Sequence, residues 1–325
     1  MVCRALCLLL VLGLLPADAQ SLIQRQAKVD ASVAEYQPGT SVSGEINVVG
    51  SDPLAVLFDG WSMGFRRYHP AAVPTFTPST TPPAVKAFIA GQASLALLAR
   101  ELTAEEARAF EAKYGYPALR IPLCIDASIV FVNRSNPLKR ISLAELDAIY
   151  GSKRLGGAEK DIQVWGDLGL RGEWSRRAIV PYSREKNTAI CQLFREQVLL
   201  KGEFRTTIQE RPDASSVAEA VITDPGAIAF APIVAWYAAN KVIPVVPYQG
   251  EEAIPPTQEA VTAGKYPMTR LNYLYLNRAP GKPLPAPVKE LAAYLLSRQG
   301  QTDIAEAGLF PAPADLVQMG QKRIQ

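Results

Sequence analysis

Four short turns rich in hydroxyl side chains stand where helices are predicted to begin. They are residues 50–52 (GSD), 79–83 (STTPP), 184–188 (REKNT) and 213–216 (DASS). The first turn of a helix carries unpaired N–H groups and about half a positive charge, so it attracts anions without a metal ion or a lysine. Several such turns facing one cleft would enclose an oxyanion. The pattern favours a binding protein over an enzyme.

Residue types that support catalysis are sparse in this chain. The one histidine, His69, stands in a Tyr-His-Pro turn after a predicted helix, and we expect it at the surface. A single histidine argues against Ser-His-Asp chemistry and against histidine-based metal sites. The sequence contains no Gly-Lys-Ser phosphate loop and no Cys/His metal spacing. We therefore expect no enzyme activity and no cofactor.

The first nineteen residues have the pattern of a cleaved export signal. Arg4 supplies a basic start, residues 5–15 are apolar, and residues 17–19 (ADA) form a small-x-small cleavage site. The apolar run is shorter than the roughly 20 residues that a membrane-spanning helix needs. We predict cleavage after Ala19 and a soluble periplasmic product.

Two cysteines, Cys124 and Cys191, remain after this cleavage. In an oxidising compartment they could form a disulfide. Both stand in apolar runs, however, and a free cysteine commonly serves as a small buried hydrophobe. The context favours free thiols.

Charge and length limit the class of protein. The formal net charge is +3, and bases and acids are interspersed, so no nucleic-acid partner is expected. The 325 residues exceed the length at which one core keeps growing, which predicts two lobes. Residues 20–43 are polar and are predicted to be a loosely packed leader.

From Glu45 onward strand and helix patterns alternate: residues 54–68 have the apolar spacing of a helix, and residues 94–98 are predicted to form a buried strand. Capping boxes at Thr103 with Glu106 and at Ser142 with Glu145 predict two helix starts. This alternation predicts an α/β fold with mostly parallel sheets.

Short motifs in a fixed order carry a family resemblance. They are residues 49–52 (VGSD), 65–70 (FRRYHP), 99–103 (ARELT), 136–138 (NPL), 165–170 (WGDLGL), 182–184 (YSR), 224–228 (DPGAI) and 274–278 (LYLNR). From about Ile46 to Pro313 the chain resembles the phosphate-binding proteins of ABC importers, within the type II periplasmic binding protein fold.

The resemblance implies a two-lobed α/β protein with an anion held between the lobes. Two crossings are expected near residues 121–129 and 242–247. One lobe would comprise residues 44–125 and 246–325, and the other residues 126–245. The implied ligand is inorganic phosphate or a related tetrahedral oxyanion, and the implied partners are ABC permease subunits. We expect a monomer.

The same resemblance implies the site residues. Ser51 and Asp52 match the first anion-binding turn, and Thr81 falls near the second. Arg184 matches the arginine that gives the anion a forked, charged hydrogen bond. The family's Ser-Gly-Thr, four residues later, here begins at Thr188 and continues as Ala189 and Ile190. The further site residues are thus Thr188 and Ala189.

Two alternatives remain open at the level of sequence. Serine, threonine and aspartate also favour helix N-caps, so the candidate residues Ser51, Asp52, Thr81 and Thr188 could cap helices without binding a ligand. Ser215 or Ser216 is predicted to cap a helix. Arg100 is a candidate ligand residue, or it pairs with Glu101 or Asp126.

The family's acceptor carboxylate is replaced by Ala99. An acceptor selects a protonated oxyanion, so its loss should weaken the discrimination of phosphate from sulfate unless Asp52 takes its place. These departures motivate an alternative function. The chain would then be an envelope protein with a degraded anion site that senses a signal or binds a partner.

Overall fold

The structure is a computed structural model that describes residues 27–233 and 239–325. The predicted export signal, residues 1–19, lies outside the described residues, as does the start of the predicted leader. Within the two described ranges, no helix is both long and apolar enough to cross a membrane.

Helices and strands alternate along most of the chain. The helices are α1 Ala55–Tyr68, α2 Thr81–Ala90, α3 Ala104–Tyr114, α4 Leu143–Tyr150, α5 Ala189–Gln197, α6 Ala214–Thr223, α7 Gln258–Thr262, α8 Ala286–Leu295, α9 Arg298–Glu306 and α10 Ala314–Arg323. The strands are β1 Gly44–Ser51, β2 Ala72–Ser79, β3 Leu95–Leu98, β4 Leu119–Asn133, β5 Ile141–Ser142, β6 Val180–Arg184, β7 Gln209–Arg211, β8 Ala227–Pro232, β9 Asn240–Ile243, β10 Val245–Val246, β11 Thr269–Leu276 and β12 Phe310–Pro311. A short 3-10 turn, Asp52–Leu54, precedes α1.

One mixed sheet runs through the whole molecule in the order β2-β1-β3-β11-β4-β8-β6-β7. The strands β1, β2 and β3 are parallel to one another, as are β6, β7 and β8. Between these two sets, β11 and β4 are antiparallel to their neighbours. The parallel sets are the predicted α/β halves, and β4 and β11 join them.

Two large apolar cores lie at the two ends of this sheet. The Trp61 core comprises chiefly Ile46, Trp61, Phe65, Ile121, Leu123, Leu274, Leu291 and Leu295. The Tyr150 core comprises chiefly Val130, Tyr150, Trp165, Phe194, Phe230, Ala260, Tyr266 and Met268. Strand β4 passes from one to the other between Cys124 and Ile125, because Cys124 packs in the Trp61 core and Ile125 in the Tyr150 core. Strand β11 runs back from the Tyr150 core to the Trp61 core. Met268, just before β11, belongs to the Tyr150 core, and Leu274 within β11 belongs to the Trp61 core.

The predicted loose leader is wrong for its described part. Val33, Tyr36 and Val42 are buried in the Trp61 core. His69 is also buried, at 1% exposure, and not at the surface as predicted. Its ring accepts the backbone N–H of Val42 at Nδ1 and meets the hydroxyl of Tyr36 at Nε2. The segment that contains Tyr36 and Val42 covers the histidine, and no periodic pattern of apolar residues predicted that packing.

Helix starts test the capping predictions directly. Thr103 and Ser142 each form the predicted capping box, with Glu106 and Glu145 respectively. The predicted cap of α6 is wrong: Asp213 is the N-cap residue, and its carboxylate accepts the backbone N–H of Ser216. Aspartate preceded the predicted serines in the same turn and has the same preference for that position.

Candidate functional site

Ser51 ends β1 in a tight corner between β2 and β3. A Cβ at the preceding Gly50 would lie 2.6 Å from the carbonyl oxygen of Leu97, so only glycine fits there. The Ser51 hydroxyl lies 2.8 Å from that of Thr81 and accepts the backbone N–H of Ala99 at 3.0 Å. The buried hydroxyl of Ser51 thereby connects the C-terminal ends of β1, β2 and β3.

The hydroxyls of this corner do not cap helices. Ser51 occupies the N-cap position of the 3-10 turn but makes no side-chain cap bond there. Thr80 holds the N-cap position of α2, and Thr81 is the first helical residue. Asp52, predicted as a possible N-cap, is the exposed first residue of the 3-10 turn. The capping alternative is therefore wrong for these three site residues.

Arg184 ends β6, and its backbone carbonyl oxygen contacts the thiol of Cys191 in the first turn of α5. One guanidinium nitrogen, Nη2, donates to the carbonyl oxygen of Pro212 at 2.9 Å. Its Nε is buried and has no hydrogen-bond partner among the described residues. A buried N–H without an acceptor costs roughly 1–3 kcal/mol. An anion at this place would remove that cost.

The first turn of α5 also has N–H groups without a side-chain acceptor. Thr188 holds the N-cap position, yet its hydroxyl donates back to the carbonyl oxygen of Glu185 at 2.7 Å and caps nothing. No acidic residue stands in the first turn of α5, which begins at Ala189. The free N–H groups and the positive end of α5 therefore meet no counter-charge from the helix itself.

Arg100 is not free for a ligand. Its guanidinium forms a bidentate ion pair with the carboxylate of Glu106, at 2.7 and 2.8 Å. These hydrogen bonds raise the pKa of Arg100 and lower that of Glu106. The predicted side-chain partners, Glu101 and Asp126, are wrong. Glu106 was assigned only to the capping box of α3, and it serves both purposes at once.

Arg270 and Asp126 form an ion pair next to the candidate residue Ala189, and the residue spacing did not indicate this pair. Arg270 Nη2 donates to Asp126 Oδ2 at 2.8 Å, and Nη1 donates to the carbonyl oxygen of Ala189 at 3.2 Å. Both charged residues stand within strongly apolar strands, β11 and β4. An unexplained charge in a buried strand was the available signal, because such residues are rarely buried unless paired.

Strand register shows how these groups come together. Tyr273 of β11 pairs with Leu98, the last residue of β3, whereas Arg270 pairs with Asp126 of β4. Ala99 and Asp126 thus flank the same end of β11. The Ser51 corner lies on one side of this end, and the start of α5 is tied to the other side through Arg270.

A cavity of about 940 Å³ lies elsewhere, and none of the candidate residues lines it. Its walls come from the segments around Pro137, Glu145, Gly157, Leu170 and Tyr248. Size alone does not make it the site. The unpaired donor of Arg184 and the uncapped first turn of α5 are groups suited to an anion.

Cys124 and Cys191 are buried and have free thiols, as the sequence context favoured. Cys191 lies in the first turns of α5, and its thiol donates to the carbonyl oxygen of Arg184 at 3.3 Å. Burial raises the pKa of both thiols. The thiols act as packing groups beside the site.

Comparisons with known proteins cover nearly the whole chain. The sequence profile of the PBP superfamily domain matches residues 36–299. The chain is 32% identical over 301 residues to the phosphate-binding protein PstS of Pseudomonas aeruginosa, with 92% of each protein covered. It is 25% identical over 292 residues to the protein SphX of Synechococcus elongatus, covering 89% of this chain and 83% of that protein.

Solved structures share the fold at lower identity. A possible phosphate-binding protein from Planctomyces limnophilus matches with a TM-score of 0.68 and 22% identity, covering 87% of this chain and 98% of that chain. An ABC-type phosphate transport receptor from Vibrio cholerae matches with a TM-score of 0.66 and 20% identity, covering 82% and 99%. The predicted two-lobed α/β fold is confirmed. The chain therefore belongs to the PBP superfamily and, within it, to the family of the PstS relatives.

Proposed function

We propose that this protein is an extracytoplasmic solute-binding protein that captures phosphate or a related tetrahedral oxyanion for an ABC importer. Its relatives are named as phosphate-binding proteins, and a structural neighbour as a phosphate transport receptor. The protein delivers the ion to permease subunits and performs no chemical step. It acts as a monomer in the periplasm after cleavage behind Ala19.

The single observation that carries the proposal is the buried Nε of Arg184, which has no partner among the described residues, in a residue whose backbone carbonyl contacts Cys191 in the uncapped first turn of α5. A guanidinium and free backbone N–H groups together suit a tetrahedral oxyanion, because each of its oxygens accepts more than one hydrogen bond. The proposed site consists of Arg184, Thr188 and Ala189 on one side, and Ser51 and Thr81 on the other.

Two predicted residues are left out of this site. Arg100 is bound by Glu106, and releasing it would leave a carboxylate without its partner. Asp52 is exposed and carries a negative charge that would repel the ligand. With Ala99 in the acceptor position, we expect sulfate to compete with phosphate more effectively than it would at a site with a carboxylate acceptor.

We propose that the anion lies between two lobes. Residues 44–125 with the C-terminal part form one lobe, and the segment from residue 126 forms the other. The packing of Ala260 and Tyr266 in the Tyr150 core favours a second crossing on β11, later than residues 242–247. The first crossing, on β4, keeps its place.

Isothermal titration of the protein without residues 1–19 tests the function. We expect one bound ion per chain with phosphate, and weaker binding of sulfate. Arg184→Ala should lower the affinity by about 10- to 100-fold, the usual loss for a charge-assisted hydrogen bond. Arg171→Ala removes the same charge from an exposed position of the same half and should leave the affinity unchanged.

Two outcomes would contradict the proposal. Absence of heat with both anions removes oxyanion capture and favours the alternative of a partner-binding envelope protein. Binding that survives Arg184→Ala shows that the ion lies elsewhere. Ser51→Ala provides a second probe from the other side of the site, and it should also weaken binding.

A further inference from the structure

Arg270 and Asp126 form an ion pair where the sheet passes from one core to the other. Their closest nitrogen and oxygen lie 2.8 Å apart, and the side chains are only 13% and 11% exposed. Removing two charges from water costs about as much as their attraction returns, and apolar residues in such places are often equally stable or more so. Stability is therefore a weak reason for this pair.

The second contact of Arg270 places its positive charge at the start of α5. Its Nη1 donates to the carbonyl oxygen of Ala189, the first residue of that helix. A cation is unfavourable at the positive end of a helix, where anions are stabilising. The backbone of Arg184 lies at the same end, where its carbonyl oxygen accepts the thiol of Cys191.

Arg184 and Arg270 each have a buried side-chain N–H group without an acceptor among the described residues. In both residues this donor is Nε. Asn272, two residues along the same face of β11, is 1% exposed, and within the described ranges its amide contacts the Cys124 thiol but has no hydrogen-bond partner among oxygen or nitrogen atoms. Each such group is costly in isolation. One acceptor-rich anion would satisfy several of them together.

We propose that Arg270 is a second anion-binding arginine of this site, and that Asp126 holds its guanidinium in place while offsetting part of its charge. The inference rests on the proposed function and extends it to residues that the family resemblance did not supply. The two charges then act in opposite directions on a bound anion, because Arg270 attracts it and Asp126 repels it.

This opposition gives a test that a structural ion pair would fail. In Arg270→Met the aliphatic stem stays, but the carboxylate of Asp126 faces the anion alone, so phosphate affinity should fall at least about 30-fold. In Asp126→Asn the hydrogen bond to Arg270 can persist while the repulsion disappears. Phosphate affinity should then rise at least about threefold.

A second arginine–carboxylate pair, between β4 and the segment that follows β3, serves as the control. Arg120 and Glu101 form an ion pair, and their side chains are 47% and 51% exposed. Arg120 pairs in register with Tyr275 of β11, away from α5. Arg120→Met and Glu101→Gln make the same charge changes, and each should leave phosphate affinity within about threefold of the wild type.

The measurement is isothermal titration with inorganic phosphate and with sulfate at fixed ionic strength. Opposite signs for Arg270→Met and Asp126→Asn support the proposal. Equal losses in both variants, or no change in either, overturn it while phosphate capture by the wild type stands. If the wild type binds neither anion, the proposed function falls and the inference with it.

A variant that does not fold needs a substitute. Where Arg270→Met fails to fold, Arg270→Lys keeps the charge but not the fork, and it should lose affinity while Asp126→Asn still gains it. If Arg270→Lys binds phosphate as tightly as the wild type, the geometry of the guanidinium is irrelevant and the proposal is overturned.

Discussion

His69 lies in a buried chain of hydrogen bonds with two other side chains. The hydroxyl of Tyr36 is 2.6 Å from His69 Nε2 and 2.6 Å from Glu290 Oε2. An ionised carboxylate only accepts, so the hydroxyl donates to Glu290 and accepts from Nε2. The backbone N–H of Val42 donates to Nδ1. These contacts require the neutral ring with its proton on Nε2.

This arrangement predicts how stability depends on pH. Burial lowers the pKa of His69 below its ordinary value of 6.5, although Glu290 opposes the shift. The unfolded chain therefore takes up a proton more readily than the folded protein, and the free energy of unfolding falls as pH drops through 6.5. In urea titrations between pH 8 and pH 5, we expect His69→Gln to lose this part of the slope.

Another group titrates in the same range with the opposite sign. Burial raises the pKa of Asp303 to about 6, so the folded protein binds that proton first and gains stability as pH falls. Asp303 is present in both proteins and cancels in their difference. Identical slopes for the wild type and His69→Gln would show that the ring is protonated equally in the folded and unfolded states.

Single residues differ in how far the sequence predicts them. Thr103 and Ser142 were placed correctly because a capping box is a local pattern with its own chemistry. His69, Arg100 and Arg270 were not, because each has a decisive partner that no local pattern indicates. For Arg100 even the nearby Glu106, six residues away, was assigned to the helix cap alone.

At the scale of elements, α5 and α2 both begin without a side-chain cap bond and without an acid in the first turn, unlike α3. Helix α3 has a threonine cap and two acids in its first turn. Omitting both leaves the helix start less stable and more positive. Such a start stabilises the helix less than a capped start would, but it attracts an anion more strongly.

An acid at this start should therefore separate stability from binding. Ala189→Asp places a carboxylate in the first turn of α5, which should stabilise the helix by about 0.3–1 kcal/mol and abolish phosphate binding through repulsion. Ala286→Asp makes the same change in α8, whose first turn also lacks an acid, and should change stability alone. Thermal unfolding and titration of both variants provide the check, and retained binding in Ala189→Asp would refute the role of α5.

Helices and strands were predictable where the hydrophobic periodicity agreed with the positions of glycine and proline. The helix near residues 54–68 and the buried strand β3 were found because their apolar spacing is clear. Strand β2 was missed because Pro74 and Pro78 argue against a strand. It is tolerated as an edge strand that pairs only with β1, where a missing N–H costs no ladder bond. Helix α7 is five residues long and was hidden in a proline-rich segment.

At the scale of the whole molecule, two strands join the halves. Residues of β4 pack in both cores, and β11 carries Arg270 at the point of transfer. The proposed ion meets groups from both sides of this join, namely Ser51 and Thr81 on one and Arg184 on the other. Two lobes follow from chain length and family resemblance, whereas the cross-connection through Arg270 depends on strand register and could not be read from spacing.

A ligand that meets both halves should stabilise the whole fold cooperatively. Phosphate at 100 times its dissociation constant adds about 2.7 kcal/mol to the free energy of unfolding if it binds only the folded protein. For a protein of about 300 residues that corresponds to a rise in Tm of roughly 4–5 °C. We expect this rise with phosphate and none with chloride at equal ionic strength. Arg184→Ala, which leaves the cores intact, should lose about half of the rise or more at the same phosphate concentration but keep the Tm of the unliganded protein. An equal rise in that variant would mean that phosphate stabilises the protein through a general salt effect, and not by bridging its halves.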